Sequence, residues 1–83
     1  MYYVYVIYST RFHKTYVGMT HNLEGRLSAH NHSRNKGYTK RFMPWQILFY
    51  ESYSTKAEVL DRERFYKSGV GRQKIHDFIK HKE

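Results

Sequence analysis

Apolar and aromatic side chains dominate the start of the chain. Residues 2–8 (YYVYVIY) carry a β-branched or aromatic side chain at every position, so both faces of an extended segment would be apolar. Such a strand belongs in the middle of a sheet, and we predict a central strand there. After a polar connection over 9–14, residues 15–19 (TYVGM) predict a second strand and therefore a β-hairpin. Gly18 indicates a bend or a close approach by another group.

Helical spacing begins after the hairpin. Asn22 is a suitable N-cap for a helix over about 23–32, in which Leu23 and Leu27 lie one turn apart. Residues 31–45 (NHSRNKGYTKRFMPW) predict a basic loop with room for one short helix, because Pro44 limits helix formation near its end.

The last part of the chain predicts one more strand and two helices. Residues 46–53 (QILFYESY) form the strand, and the capping box over 55–58 opens a helix that ends near Ser68-Gly69, where glycine suits a helix C-terminus. A short final helix follows, and its stripe consists of Ile75, Phe78 and Ile79. The order β-β-α-(α)-β-α-α indicates the α+β class, with a small antiparallel sheet flanked by helices and its strand order left open.

Length and composition limit the number of domains, the kinds of metal site and the cellular compartment to be expected. Eighty-three residues predict a single domain over 1–83 with a modest core. The sequence has no cysteine, which excludes disulfides and thiolate metal sites, and we expect a cytoplasmic protein. No apolar run approaches the roughly 20 residues that span a bilayer, so no membrane partner is expected.

The net charge of +8 favours an anionic partner. Nucleic acid is the preferred interpretation, because phosphate contacts release counterions. A soluble basic protein without such a partner is the alternative. An anionic membrane surface is disfavoured, because no predicted helix has a strongly apolar face of the interfacial type.

Glu63 is the sharpest chemical signal on the predicted helices. Its helical neighbours form an apolar stripe that faces the sheet, comprising Val59, Leu60, Tyr66 and Val70. A carboxylate is seldom placed in such a stripe unless it is paired or bound to metal. The residues alone leave open a buried ion pair with Lys67 or Arg26, and a metal ligand.

Arg26 and His30 share one face of the first helix. Arginine can hold a phosphate through two parallel hydrogen bonds, and histidine can move a proton near neutral pH. The plainer interpretation is a solvated helix face.

Two tyrosine motifs add a family resemblance. Tyr3-Val4-Tyr5 is followed by Tyr16-Val17-Gly18, then by the helix that carries Arg26 and His30, and later by Glu63. In order and spacing these resemble the GIY-YIG nuclease superfamily, specifically its small stand-alone members of the UPF0213 type. The resemblance covers roughly residues 2–70.

The resemblance implies a three-stranded sheet and a metal-dependent endonuclease that acts on DNA, or less readily on RNA. It makes Glu63 the ligand of one divalent ion, for which hard oxygen ligation suits Mg²⁺ or Mn²⁺. It assigns Arg26 to the scissile phosphate, and it matches His30 to a position that carries histidine or tyrosine across the family. We expect His30 to assist proton transfer. Tyr5 and Tyr16 would position or deprotonate the attacking water.

Basic residues outside these motifs predict a nucleic-acid surface. The loop interleaves cations with Tyr38, Phe42 and Trp45, a pattern that suits a nucleic-acid strand. A solvated loop with its aromatic rings in the core is the alternative, and Trp45 beside Pro44 is interpreted as structural. The predicted nucleic-acid-binding residues are Arg34, Lys36, Lys40, Arg41, Lys67 and Arg72.

Two departures from the family pattern bear on activity. Met19 stands where some members have lysine, and no asparagine follows Glu63. We therefore expect slow turnover and keep two alternatives: a non-catalytic nucleic-acid-binding module, and an interaction subunit recruited to a repair or restriction assembly.

Overall fold

A computed structural model describes residues 1–82 of the chain. Strands β1 (Tyr2–Ser9), β2 (Lys14–Thr20) and β3 (Gln46–Tyr53) form one antiparallel sheet in the order β2-β1-β3. Helix α1 (Leu23–His30) and a 3₁₀ helix (Tyr38–Phe42) precede β3, and helices α2 (Lys56–Lys67) and α3 (Gly69–Lys82) follow it. The predicted α+β class, the element order and the central position of β1 are confirmed.

The alternating side chains of β1 serve two separate cores. Val4, Val6 and Tyr8 pack with residues of α2 and α3 on one face of the sheet. Tyr5 and Ile7 pack on the other face with Trp45 and with side chains of α1 and the loop that follows it. Because β1 is covered on both sides, every position needs an apolar side chain, which explains the unbroken apolar run.

The predicted end of α2 is wrong in one respect. Gly69 does not adopt a left-handed conformation as a helix cap, because no described glycine has a positive φ, and it is instead the first residue of α3. Ser68 makes the junction: its hydroxyl donates to the Phe65 carbonyl at 2.5 Å and accepts from the Gly71 N–H at 3.3 Å. Val70 therefore lies in α3, 65% exposed, and is not part of the Glu63 stripe.

Helix boundaries differ in two other places. Helix α1 ends at His30, two residues earlier than predicted, and α3 runs over 14 residues instead of being short. Gly71 allows α3 to start close to α2, since a Cβ there would lie 2.7 Å from the Phe65 carbonyl carbon. Of the predicted α3 stripe, Ile75 is buried, whereas Phe78 is 42% exposed.

Candidate active site

The glycine of the second tyrosine motif makes room for the tyrosine of the first. Tyr5 on β1 is paired with Gly18 on β2. A Cβ at Gly18 would lie 2.7 Å from Tyr5 Cζ and closer still to the hydroxyl oxygen. Any larger residue would have to displace the phenol ring. The close approach predicted at Gly18 is therefore that of the Tyr5 ring.

The Tyr5 hydroxyl forms a buried hydrogen bond with His30 at the end of α1. The hydroxyl oxygen lies 2.9 Å from His30 Nε2, and His30 Nδ1 lies 2.8 Å from Thr39 Oγ1. Tyr5, His30 and Thr39 are all buried, at 3%, 9% and 4% exposure. Both ring nitrogens are thus occupied by protein groups, which fixes the orientation of the imidazole.

The loop after α1 holds Thr39 in place from two sides. Asn35 Nδ2 donates to Thr39 Oγ1 at 2.7 Å and to the His30 carbonyl at 2.9 Å. Trp45 Nε1 donates to the Thr39 carbonyl at 2.7 Å. The structural role predicted for Trp45 is confirmed by its 3% exposure. The predicted basic loop therefore has an inner side that serves as a hydrogen-bonded support for His30.

Burial sets the protonation states of this pair. Burial, with a smaller effect from Tyr16, raises the pKa of Tyr5 far above its usual range, Arg26 opposing and Glu63 adding to the rise. Burial and the nearby Arg26 guanidinium lower the pKa of His30. Tyr5 therefore keeps its proton and His30 is neutral at neutral pH.

Tyr16 and Arg26 meet in an open cleft next to His30. The Tyr16 ring lies edge-on to His30, with 5.0 Å between the ring centroids. The cleft has a volume of about 220 Å³ and is also lined by Tyr38 and Thr39. Arg26 is exposed and has no ion pair among residues 1–82. We call this space the Tyr16 cleft. The guanidinium of Arg26 and the phenol of Tyr16 both line it.

Glu63 lies on α2 between two buried residues of the same helix, Val59 and Tyr66. Its side chain is only 20% exposed, and Oε2 lies 3.5 Å from Lys67 Nζ. Of the ion pairs that the sequence left open, the one with Lys67 is present and the one with Arg26 is not. Glu63 is also close enough to Tyr5 to contribute to the raised pKa of that phenol.

Glu63 fits a metal site to which the protein contributes a single carboxylate. Within the part of the chain that the structure describes, no three His, Cys, Asp or Glu side chains come together as a ligand cluster. Mg²⁺ characteristically keeps several waters and binds through one or two carboxylates together with substrate phosphate. A single, half-buried carboxylate matches that mode, and it does not match a metal that needs a protein cage.

The six predicted nucleic-acid-binding residues are exposed, and they differ in the clefts that they line. Lys67 and Arg72 line a second cleft together with Tyr16. Arg34 lines a different cleft beside α1. The other three lie on the loop and the 3₁₀ helix and line none of the clefts containing Tyr16: Lys36, Lys40 and Arg41.

Sequence reasoning missed Thr39 and Asn35. Both are small polar residues in a basic segment, and such residues are usually solvated. The pattern carried no sign that one of them is buried.

Among residues 1–82, no helix is long and apolar enough to cross a bilayer.

Comparisons with known proteins agree with the motifs. The model of the GIY-YIG catalytic domain family matches residues 1–76. A UPF0213 protein of Bacillus licheniformis is 34% identical over 80 residues, which cover 96% of this chain and 80% of that protein. UPF0213 proteins of Staphylococcus haemolyticus and Clostridium perfringens are each 33% identical, over 88% and 90% of this chain and 88% and 80% of their own. No solved structure matches the chain significantly.

Proposed function

Because this chain belongs to the GIY-YIG catalytic domain family, and within it to the UPF0213-type proteins, we propose that it is a metal-dependent endonuclease. The substrate is DNA, with RNA as the less favoured alternative, and the reaction is hydrolysis of a phosphodiester bond. One observation carries the proposal: the exposed guanidinium of Arg26, which has no ion pair with any residue of 1–82, shares a cleft with the phenol of Tyr16. That combination suits an anionic substrate attacked by water.

Arg26 is proposed to bind the scissile phosphate. A guanidinium can donate two parallel hydrogen bonds to phosphate oxygens and stays charged at any working pH. As water adds to phosphorus, negative charge grows on those oxygens, and a fixed cation stabilises it more than it stabilises the ground state. The absence of a carboxylate partner for Arg26 among the described residues supports this role, because none has to be displaced.

Tyr16 is proposed to hold and deprotonate the attacking water. Of the two motif tyrosines, Tyr16 lines the cleft, whereas Tyr5 is buried behind His30. The raised pKa of Tyr5 also keeps its phenol protonated at neutral pH, so that Tyr5 is not available as a base. We therefore assign Tyr5 a positioning role, in which its hydroxyl fixes His30.

His30 is proposed to position Tyr16. Both of its ring nitrogens are engaged by Tyr5 and Thr39, and its ring supports the Tyr16 phenol edge-on. Proton transfer by His30, as expected from the sequence, would require one of these hydrogen bonds to break first. A positioning role requires no such rearrangement.

Glu63 is proposed to hold one Mg²⁺ or Mn²⁺ ion. When bound, the ion would act as a Lewis acid on the phosphate and the leaving oxygen. Lys67 already lies 3.5 Å from the carboxylate, a long contact at an exposed ammonium that costs little to replace. The single carboxylate leaves room for water and substrate oxygens around the ion.

The test is a cleavage screen with branched, nicked, single-stranded and double-stranded substrates in Mg²⁺ or Mn²⁺. Glu63→Gln removes the negative charge and keeps the shape of the side chain. Asp61→Asn makes the same charge change on the same helix at an exposed position, 77% exposed. We expect cleavage by the wild-type protein and by Asp61→Asn, and none by Glu63→Gln. Equal cleavage by both variants would contradict the metal assignment.

A non-catalytic nucleic-acid-binding module is the second candidate, and the Glu63–Lys67 contact favours it. In such a module the carboxylate would serve only as half of an ion pair. This reading predicts binding that weakens with salt, and no cleavage of any substrate in either metal. A defined protein partner without nucleic-acid binding would instead support an accessory subunit of a repair assembly.

A further inference from the structure

Three clefts lie next to one another at β2, which is an edge strand of the sheet. The Tyr16 cleft shares Tyr16 with a second cleft, which also contains Arg72. A third cleft, of about 470 Å³, shares Arg72 with the second and Tyr38 with the first. Because neighbouring clefts have these lining residues in common, we treat the three as one surface and call it the β2-edge groove. It passes from Arg26 to the β1–β2 hairpin and α3.

Every lysine, arginine, aspartate or glutamate that lines this groove is a positively charged residue. Lysine and arginine line it from α1, β2, α2 and α3: Arg26, Lys14, Lys67 and Arg72. His13 and His76 line the third cleft, and no aspartate or glutamate is among the residues lining any of the three. The cleft on the opposite edge of the sheet is different, because Glu51 and Asp77 line it with Lys74. A polyanion would therefore favour the β2 edge.

We propose that the β2-edge groove binds the phosphate backbone of the nucleic-acid strand on one side of the cut. This inference rests on the proposed nuclease function and extends it to a binding subsite. Lys14 and Arg72 contact phosphates beyond the scissile one. Tyr38 is 53% exposed where the Tyr16 cleft meets the third cleft, and its ring offers a surface to a base or sugar passing between them.

The subsite draws on residues that the sequence pattern did not single out. Lys14 opens β2 directly after the hairpin turn, and His76 lies on α3. Lys14 Nζ lies 5.5 Å from the centroid of the Phe42 ring, which holds the ammonium near the groove. The pairing of β1 with β2 and the return of α3 across the sheet bring these distant residues together.

Arg72 and Lys74 provide a matched pair for the test. Both are exposed bases on α3, and each alanine substitution removes one positive charge. Arg72 lines the β2-edge groove, whereas Lys74 lines the cleft at the opposite edge. A diffuse attraction to a basic protein would weaken equally in both variants. A defined strand path would weaken in one variant alone.

The experiment measures binding of a fluorescent DNA oligonucleotide by anisotropy over a series of salt concentrations, without divalent metal. We expect Arg72→Ala and Lys14→Ala each to weaken binding several-fold and to reduce the log–log salt slope by about 1. Lys74→Ala should bind like the wild-type protein. Circular dichroism verifies that each variant is folded, and a glutamine substitution at the same position replaces any alanine variant that is not.

Two outcomes overturn the subsite: equal losses for Arg72→Ala and Lys74→Ala, or wild-type binding by Arg72→Ala and Lys14→Ala. Because the measurement needs no metal, it separates the two proposals. A protein that binds through Arg72 but never cleaves would contradict the nuclease and keep the groove. A protein that cleaves but binds DNA without Arg72 and Lys14 would support the nuclease and contradict the groove.

Discussion

The Tyr5 hydroxyl on β1 lies 2.9 Å from His30 Nε2 at the end of α1. This buried hydrogen bond links the central strand to the helix that presents Arg26. The two motif tyrosines have different roles, because Tyr5 lies in the core and Tyr16 borders the cleft. Together with His30 and Arg26 they form one unit, which has a charged side open to solvent and a neutral, hydrogen-bonded interior.

Thr39→Val tests whether that interior positions His30. The change keeps the shape of the side chain and removes the hydroxyl that contacts His30 Nδ1 and Asn35 Nδ2. We expect a loss of about 1–3 kcal/mol in the free energy of unfolding, because the buried His30 Nδ1 and the part-buried Asn35 Nδ2 each lose a partner. Cleavage should fall while DNA affinity is kept. Thr10→Val, at an exposed position in the hairpin turn, is the control and should change neither.

Nitrogen NMR of the imidazole gives a readout that does not depend on cleavage. In the wild-type protein we expect one neutral tautomer of His30, because both ring nitrogens are fixed by partners. Thr39→Val should produce a mixture of tautomers. An unchanged His30 spectrum in this variant would contradict the positioning role of Thr39.

Stability should fall in mild acid because of His30. Burial and Arg26 lower the pKa of the folded His30 below its unfolded value of about 6.5. The unfolded chain therefore binds the proton first, so stability is full above about pH 6.5 and is lost as pH falls toward the folded pKa. Urea unfolding at about pH 7 and pH 5 measures the difference.

His30→Gln should flatten this pH dependence, since glutamine does not titrate. His81→Gln changes an exposed histidine on α3 and should keep the wild-type dependence. If the two variants lost stability with acid to the same extent, His30 would not be the group responsible.

Gly18→Ala should disturb the site through Tyr5. The new Cβ would lie 2.7 Å from Tyr5 Cζ, so the ring must move and its hydrogen bond to His30 must weaken. We expect a cost of about 1–3 kcal/mol, typical of overpacking in a core. A double-mutant cycle with Tyr5→Leu checks the cause, because removing the ring removes the clash. Strictly additive losses would show that Gly18 is needed for another reason.

The two tyrosine-to-phenylalanine variants should differ in how much cleavage they lose. Tyr16→Phe removes the hydroxyl in the cleft and should abolish cleavage, because the attacking water loses its partner. Tyr5→Phe removes only the hydroxyl that contacts His30 and should lower the rate in part. Cleavage rates are measured for both variants under the same conditions. Equal losses in the two variants would contradict the assignment of the water to Tyr16.

The sheet and its two covered faces could be predicted because they depend on local patterns. The unbroken run of β-branched and aromatic residues at 2–8 favours a strand that is covered on both faces. The cap residues Asn22 and Thr55 accept the hydrogen bonds expected of them. The α2–α3 junction could not be predicted in the same way. Gly69 is the usual signal for a helix C-terminus, but Ser68 satisfied the backbone instead and the next helix began at once.

The site was only partly accessible to sequence reasoning. The spacing of Arg26 and His30 on one helix follows from helical geometry alone. The support of His30 by Thr39 depends on how the loop folds back, and that path is fixed by contacts between distant residues such as Asn31 and Trp45. The β2-edge groove likewise exists only because α3 returns to the hairpin.

Arg26→Lys most directly tests the assignment of Arg26 to the scissile phosphate, with metal-dependent cleavage and DNA affinity measured on the same protein. Lysine keeps the charge and loses the two-pronged contact with phosphate. Arg64→Lys is the control, because Arg64 is exposed on α2 and does not line the Tyr16 cleft. We predict that Arg26→Lys lowers the cleavage rate by about 10²–10³-fold with affinity nearly unchanged, and that Arg64→Lys cleaves normally. Normal cleavage by Arg26→Lys, or losses of cleavage and affinity in equal proportion, would contradict a nuclease site built on Arg26.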